Sequence, residues 1–524
     1  MSSGLSWVAR ACVGLSLLGV ACGRPTIADE AASDPATDAA TDALPPFDDT
    51  ADAVPVGESG ESAVDDAPAS DVPEPTAEPV AIPPSRVRVK LDVQGELFAP
   101  AGRDAPPIRR PIDLDARFDF IETPAAGTAE PTVGRRYIDA TAELRVDGEP
   151  RRTSVAADAR SVKVVLRGTT PAPFLEGGFL TREERDLLET PFDVLLVDAL
   201  RPADAVAVGG SWEIAGDVVA GLLAIDTVES GGMTARLESV ADGVATVTIS
   251  GIVDGAVDGV PAHVTIEGSF SAAASAATTA DAVKVTGRVV GLGVTLRERR
   301  EASHVAPGFD VEARLSIART APDGESSAEP APPTPSKHPH RRQGTGRPGL
   351  VWHRDEAGRY DLVHDDRWRA IEDGPDGLVM RLVDSGALVA QCAIIPLPRG
   401  TAGSAPTIVE VERDIERSLA GQFGRIEHAS EAVRSDGVRI VRVVTAGRAD
   451  GLPFRWIHCV LVAGDGERLA VTCMLEASME KRFARADREL VDGVGLPAGA
   501  LGAGESATTA DDREARLPRE SRMP

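Results

Sequence analysis

Apolar and polar positions alternate along most of the chain between residues 86 and 320. The run Val87-Arg88-Val89-Lys90-Leu91-Asp92-Val93 is strict, apolar at every odd position and charged at every even one. A period of two puts all the apolar side chains of a strand on one face. Comparable runs at 114–121, 137–146, 162–166, 233–240, 245–252, 262–270, 283–290 and 313–317 predict further strands, and 208–212 reads as a turn into one. Two stretches change period. Thr181-Arg182-Glu183-Glu184 fits a capping box, in which the Thr hydroxyl and the Glu carboxylate each satisfy an orphan amide. It opens a helix through Leu187 and Leu188 towards Leu200, which Pro191 splits. A second helix is expected over 218–223. Val146-Asp147-Gly148 and Val257-Asp258-Gly259 hold similar places in the two halves and hint at duplication. Many amphipathic strands with one or two helices predict a strongly curved antiparallel sheet.

The C-terminal third has a different pattern. Asp436-Gly437 opens a meander with strands at 438–446, 454–463 and 468–475, and Asp465-Gly466 turns the second strand into the third. Asp-Gly between apolar runs signals a hairpin because Gly accepts a positive φ at little cost. Centred on Gly466, that turn sets Cys459 opposite Cys473 and Leu461 opposite Val471. Both faces of the meander are largely apolar, so both call for cover. Thr407-Ile408-Val409-Glu410 is a second capping box, and Ile408, Val411, Ile415, Leu419 and Phe423 form one apolar stripe behind it. A closing helix is expected from 478 to 490.

The N-terminal end is organised by charge and hydropathy rather than by period. Arg10 precedes an apolar run over 11–21 that is too short to span a bilayer and resembles a secretory signal core. Gly19-Val20-Ala21-Cys22 ends it and resembles a bacterial lipobox, with Gly19 where that motif usually has Leu. The resemblance implies cleavage before Cys22, diacylation of its thiol and acylation of its amine. At about 0.8 kcal/mol per buried methylene, two or three chains anchor stably where one does not. The other reading is an ordinary signal peptide cut nearby, with Cys22 incidental. Residues 23–85 hold fifteen Asp and Glu against one Arg and supply −14 of the net charge of −27. With so little apolar content they are expected to be a disordered acidic tether. Residues 321–349 read as a Pro-rich linker and 498–524 as a disordered tail. An acidic balance argues against nucleic acid, which needs a basic face. The chain has five Lys and no Asn, a bias that leaves little functional weight on any single Arg.

Within 350–497 the elements follow a recognisable order. Tyr360-Asp361-Leu362-Val363-His364 and Arg367-Trp368 give a strand and a Trp-bearing turn. Strands at 378–383 and 387–395 surround Asp384-Ser385-Gly386, and then come the Thr407 helix, the meander and the last helix. This order resembles the PsbP-like family, the fold of a photosystem II extrinsic subunit shared with a nuclear-transport Ran-binding factor. The resemblance implies an α/β/α sandwich used for docking to other proteins, generally without a catalytic set. No family binding motif is legible, so no functional residue carries over. Residues 86–320 resemble periplasmic lipoprotein-carrier and lipid-binding lipoprotein folds at the level of architecture. The expected fold class is therefore multidomain α+β: residues 1–22 a signal peptide, 23–85 a tether, 86–320 a mostly antiparallel β domain, 350–497 a PsbP-like α/β/α sandwich, with disordered linkers between.

Candidate chemistry is sparse. Gly344-Thr345-Gly346-Arg347-Pro348-Gly349 matches G-x-G-x-x-G by letter, but no strand precedes it and no helix follows, so the phosphate-cradling geometry is lacking. His338-Pro339-His340 lies in the linker. His353, His364, His428 and His458 could meet at a metal, but their spacing fits no ligand pattern, and no metal or cofactor is expected. Asp365-Asp366 and Glu372-Asp373 are paired acids on turns, read as solvated. Cys392, Cys459 and Cys473 remain in the folded part. In an oxidising envelope Cys459 and Cys473 could close a disulfide, and buried free thiols are the other reading. The functional expectation is a membrane-anchored cell-envelope lipoprotein acting as a non-catalytic binding or scaffold module. Its folded parts would lie on the periplasmic or outer side of a bacterial membrane. Its partners would be the membrane through the lipid, and an envelope protein or an apolar ligand. Alternatives are a carrier of an apolar ligand within 86–320 and a hydrolase of unknown substrate.

Overall fold

The computed structural model describes residues 83–99, 107–125, 130–276, 282–322 and 343–496. Cys22, the signal segment, nearly all of the tether, His338 and His340, most of the linker and the 498–524 tail lie outside the described residues.

The alternating runs form one antiparallel sheet of thirteen strands. In chain order its first half holds β1 (Ser85–Ala99), β2 (Ile108–Pro124), β3 (Thr132–Val146), β4 (Glu149–Ser154), β5 (Ser161–Arg167) and β6 (Thr170–Phe174). Helix α1 (Arg182–Leu188), the short β7 (Val206–Ala207) and β8 (Ser211–Ile214), and helix α2 (Gly216–Leu223) follow. The second half holds β9 (Thr227–Ala241), β10 (Val244–Val257), β11 (Val260–Ala276), β12 (Ala282–Arg300) and β13 (Gly308–Thr320). The strand order is β6-β5-β3-β2-β1-β13-β12-β11-β10-β9-β8, so the first and last long strands pair along their whole length. Asp147-Gly148 and Asp258-Gly259 make tight turns with both residues at positive φ, the geometry that two-residue hairpins need. Both edges are blunt. β6 carries Pro171 and Pro173, and β8 has four residues, so neither offers a long row of free donors.

Much of the apolar face of the sheet is covered by the chain itself. The segment between β6 and β9 folds onto it as a plug, and Leu180, Leu188, Phe192, Val197, Leu200 and Leu222 join one core with residues from β1, β2, β3, β5 and β9 to β13. A single core shared by strands from both ends requires the sheet to wrap round the plug. Two of the spaces left between them are small, about 10 Å³ beside Phe192 and about 20 Å³ beside Leu223, room for a water at most. Phe192 is fully buried at φ 51° and its N–H donates to Leu222 at 2.7 Å. A non-glycine residue holds that conformation only where its surroundings over-determine it.

At one rim, charge replaces the apolar rung. Arg135 on β3 donates to Asp193 of the plug at 2.7 Å and to Glu122 on β2 at 3.2 Å. Arg288 on β12 donates to Glu122 at 2.6 Å and to Asp198 at 3.3 Å. Arg319 on β13 reaches Asp198 at 3.0 Å and the Val194 carbonyl at 2.9 Å. Three guanidinium groups thus meet three carboxylates, and Glu122 is 0% exposed.

The C-terminal body is also dominated by strands. β14 (Leu350–Arg354), β15 (Asp361–Asp365) and β23 (Val494–Gly495) form a three-stranded sheet. β16 (Trp368–Gly374), β17 (Gly377–Asp384), β18 (Ala387–Leu397), β19 (Phe423–Val433), β20 (Arg439–Ala449), β21 (Leu452–Val462) and β22 (Arg468–Glu476) form a seven-stranded one in the order β16-β17-β18-β22-β21-β20-β19. Helix α3 (Ile408–Leu419) packs Val411 and Ile415 on Val441 and Val443 of one face. The other face is covered by Leu362 of β15 and Val494 of β23, with Phe483 of α4 (Glu480–Phe483) and Leu490 of α5 (Ala486–Gly493). The expected α+β class with an α/β/α sandwich is therefore corrected. Of the described residues 61% lie in strands and 14% in helices, and one cover is a small sheet with two short helices rather than a helical layer. The sequence expectation failed because it set a helical layer on each face without weighing how few residues the helices hold. The linker is corrected where it is described: Gln343 pairs with Gly178, and Gly346 lies so close to the Leu175 and Gly178 carbonyls that a Cβ would collide with them.

Removing one member of a buried ion lock leaves its partner desolvated and unpaired, which costs about 3–5 kcal/mol. Asp193→Ala should lower the urea unfolding free energy by that order, whereas Asp92→Ala, which removes the exposed Lys90 partner, should change it by less than about 1 kcal/mol. Equal effects for the two variants would contradict the lock.

Candidate functional site

Among the described residues the N-terminal sheet and plug meet the C-terminal strands at two places. At the first, Phe179 packs with Trp352, Val363 and Leu350, and the Trp352 N–H donates to the Leu180 carbonyl at 2.8 Å. Arg185 of α1 pairs with Asp366, and Arg182 donates to the Asp366 carbonyl at 2.9 Å. The Thr181 capping box, with both reciprocal bonds formed, fixes the start of α1 and so aims these arginines. At the second contact the Asp258-Gly259 turn meets the Asp384-Ser385-Gly386 turn, backbone against backbone, and Arg381 donates to the His304 carbonyl at 2.6 Å.

Between these contacts lies a cleft of about 590 Å³. Its floor is apolar, with Val164, Pro171, Pro173, Leu188, Ala220 and Ile225. Gly349, beside the first contact, and Ser385, beside the second, line it from the C-terminal body. Thr169, Thr170 and Thr190 add hydroxyls. Of the charged groups on the lining, Arg185, Glu189, Asp193 and Asp226 are engaged, while Arg167 at the end of β5 is exposed. Arg185 donates to Glu189 at 2.8 Å, Asp193 is held by Arg135, and Asp226 accepts from the Asp258 amide at 2.6 Å. Such a surface suits an apolar or amphiphilic molecule better than an ion. A second, more open cavity of about 590 Å³ beside Arg136, Asp158 and Lys163 is rimmed by charge.

The residues singled out from sequence do not converge. His353 Nδ1 lies 3.8 Å from Asp373, and His428 is exposed on the edge strand β19. His364 is buried with Nδ1 at 2.8 Å from the Asp365 carbonyl, and His458 faces Thr472 at 3.3 Å. Among the described residues no group of three or more potential metal ligands comes together. The first acid pair is ion-paired rather than solvated, with Asp365 on Arg367 and Asp366 on Arg185, whereas Glu372 of the second is exposed. Cys459 and Cys473 are not opposed. The hairpin closes at Ala463 and Glu467 with Gly466 at φ 94°, so the centre is Asp465. Cys459 then faces Val471, and Cys473 faces Ile457. All three core cysteines are free thiols in this structure.

Sequence reasoning missed the ion lock, although a signal was present. Arg135 shares the inward phase of Val133 and Tyr137, Arg319 that of Leu315 and Ile317, and Glu122 that of Phe118 and Phe120. A charge on the buried phase of a strand asks for a buried partner.

Comparison with known proteins adds little. No family model matches the chain, and no curated protein matches it. Among solved structures, PsbP (CyanoP) from Synechocystis sp. PCC 6803 is 11% identical over 28% of this chain and 92% of its own, with a TM-score of 0.24. Lipovitellin is 8% identical over 48% of this chain and 27% of its own, with a TM-score of 0.23. DynF from the dynemicin biosynthesis pathway of Micromonospora chersina is 8% identical over 49% and 93%, with a TM-score of 0.14. Likeness at these scores carries no argument about fold or function.

Burial pushes His364 down from its ordinary 6.5 to about 3 and His458 to about 4. Both are neutral in the fold, and the unfolded chain takes up their protons first. Their stabilisation is complete above pH 6.5 and is lost as pH falls towards 4 and 3. Within that window each histidine should remove about 1.4 kcal/mol per pH unit. Unfolding free energies from pH 7 to 4.5 should show this slope, and the His364→Gln/His458→Gln double variant should flatten it. An unchanged slope in that variant would overturn the assignment.

Proposed function

We propose that the protein is a lipid-anchored cell-envelope binding module that holds an apolar or amphiphilic small molecule in the cleft between its two bodies. The observation that carries this is the cleft itself: ligand-sized, apolar on its floor, and set where two packed bodies meet. The lipobox-like Cys22 and the acidic segment 23–85 support the tether. A carrier that encloses its ligand inside the sheet is disfavoured by the plug, which already fills that space. The cleft needs no such displacement, and its walls belong to elements fixed by other contacts.

Titration with the uncharged dye N-phenyl-1-naphthylamine tests the site. The parent chain should enhance its fluorescence saturably. Thr170→Trp, which fills the cleft from the exposed edge strand β6, should weaken binding at least tenfold, a change of about 1.4 kcal/mol, without moving the melting midpoint. Equal binding by the two would refute the cleft. Metabolic palmitate labelling tests the tether separately: Cys22→Ala should lose the label, and a fully labelled variant would refute the anchor.

A further inference from the structure

The seven-stranded sheet is two sequence-local halves, β16 to β18 and β19 to β22, and β18 against β22 is the strand pairing that joins them. In this seam Cys392 lies directly opposite Cys473. The kind of pair follows from the hairpin next door. Ala463 N–H donates to the Glu467 carbonyl at 2.9 Å, which makes 463 and 467 a hydrogen-bonded pair. The β21–β22 register has no shift, and bonded pairs recur every second residue, so Ile457 and Cys473 are bonded too. The other side of β21 agrees. The two-residue Asp450-Gly451 turn closes at Ala449 and Leu452, which turns the even residues of β21 towards β20 and the odd ones towards β22. Cys473 therefore spends its amide and carbonyl on β21 and has none for β18.

Cys392 and Cys473 are thus a non-hydrogen-bonded pair, the closer of the two kinds, with Cα atoms about 4.5 Å apart and inside the roughly 4.4–6.8 Å range a disulfide spans. Both side chains are on the core face, 0% and 1% exposed. Hydrogen bonding of the Cys473 thiol to Cys392, and then burial, hold that thiol well above its ordinary range. Cys459 lies in the wider, hydrogen-bonded kind of pair and faces Val471.

We propose that Cys392 and Cys473 are the disulfide site of this chain, closed across the β18–β22 seam during folding, with Cys459 left as a free thiol. Two S–H bonds break and one S–S bond forms. Two protons and two electrons pass to a disulfide oxidant, glutathione disulfide or a disulfide oxidoreductase, which is reduced to thiols. In the finished core both sulfurs are buried, so closure occurs as β18 pairs with β22 and before the core is covered. The bond would staple the two halves of the sheet at the seam that local sequence does least to hold. The oxidant in the cell rests on the envelope reading above; the pairing does not.

Refolding the full chain in a glutathione redox buffer, alkylating in denaturant and mapping tryptic peptides tests the pair, since Arg399, Arg455 and Arg468 place the three cysteines on different peptides. The expected map links the Cys392 peptide to the Cys473 peptide, with Cys459 alkylated. Cys459→Ala should keep the link, and Cys473→Ala should leave Cys392 and Cys459 free. Alkylation of all of Cys392, Cys459 and Cys473, or a link that contains Cys459, would overturn the proposal. The same map on chain taken from cells separates the two readings: a link formed in glutathione but absent from the cell-derived chain would overturn the envelope placement and leave the pair standing.

Discussion

The architecture depends on three arginines meeting three carboxylates at one rim of a curved sheet. Arg135, Arg288 and Arg319 come from three strands, Asp193 and Asp198 from the plug, and Glu122 from a fourth strand. The formal charges cancel. Burial alone would weaken the charge on Arg135, and its neighbours, Asp193 foremost with Tyr137 and Glu122, together more than offset it. Buried ion sets contribute little net stability over an apolar replacement. Here the set ties the plug to strands β2, β3, β12 and β13 at defined points. The stabilising term is the apolar burial behind it, about 1.5–3 kcal/mol for each large side chain removed from water.

That division of labour decides where function can sit. A wide antiparallel sheet with one apolar face must be covered or closed. This chain covers its sheet from within, using a segment inserted between β6 and β9, so the concave face is spent on folding. What remains open is the ground between the sheet's plugged mouth and the second body. There Arg182 and Arg185 of the plug reach across to Asp366. The helix that helps to fill the sheet also docks the neighbour, and the cleft beside it is lined by the first body with Gly349 and Ser385 added from the second.

Local chemistry was legible in the sequence and long-range choice was not. Both capping boxes formed with both bonds, because all their partners lie within four residues. Strands in the first body appeared where the period of two placed them. The pairing of β1 with β13 could not be read, since alternation fixes a strand's inner face and not its neighbour. The Cys459 register slipped because Asp-Gly marks a turn without fixing loop length. Gly466 takes the positive φ while Asp465 becomes the centre, and its carboxylate accepts from the Glu467 amide at 3.2 Å. The glycine run 344–349 leads into strand β14 rather than a helix, and its use was invisible: Gly346 lets the chain pass against the Leu175 and Gly178 carbonyls. The ion lock was missed by treating Arg as a compositional habit, when phase along the strand marked Arg135 and Arg319 as inward.

The central claim is that the plug is core and not lid, and native-state hydrogen exchange tests it most directly. Amides of the plug, such as Phe192 bonded to Leu222 and Val197 bonded to Asp193, should exchange only through global unfolding, with the same free energy as the central strands β1 and β13. Plug amides that exchange several kcal/mol more easily than those strands would show a segment that opens on its own, and the sheet's interior would again be a candidate ligand site.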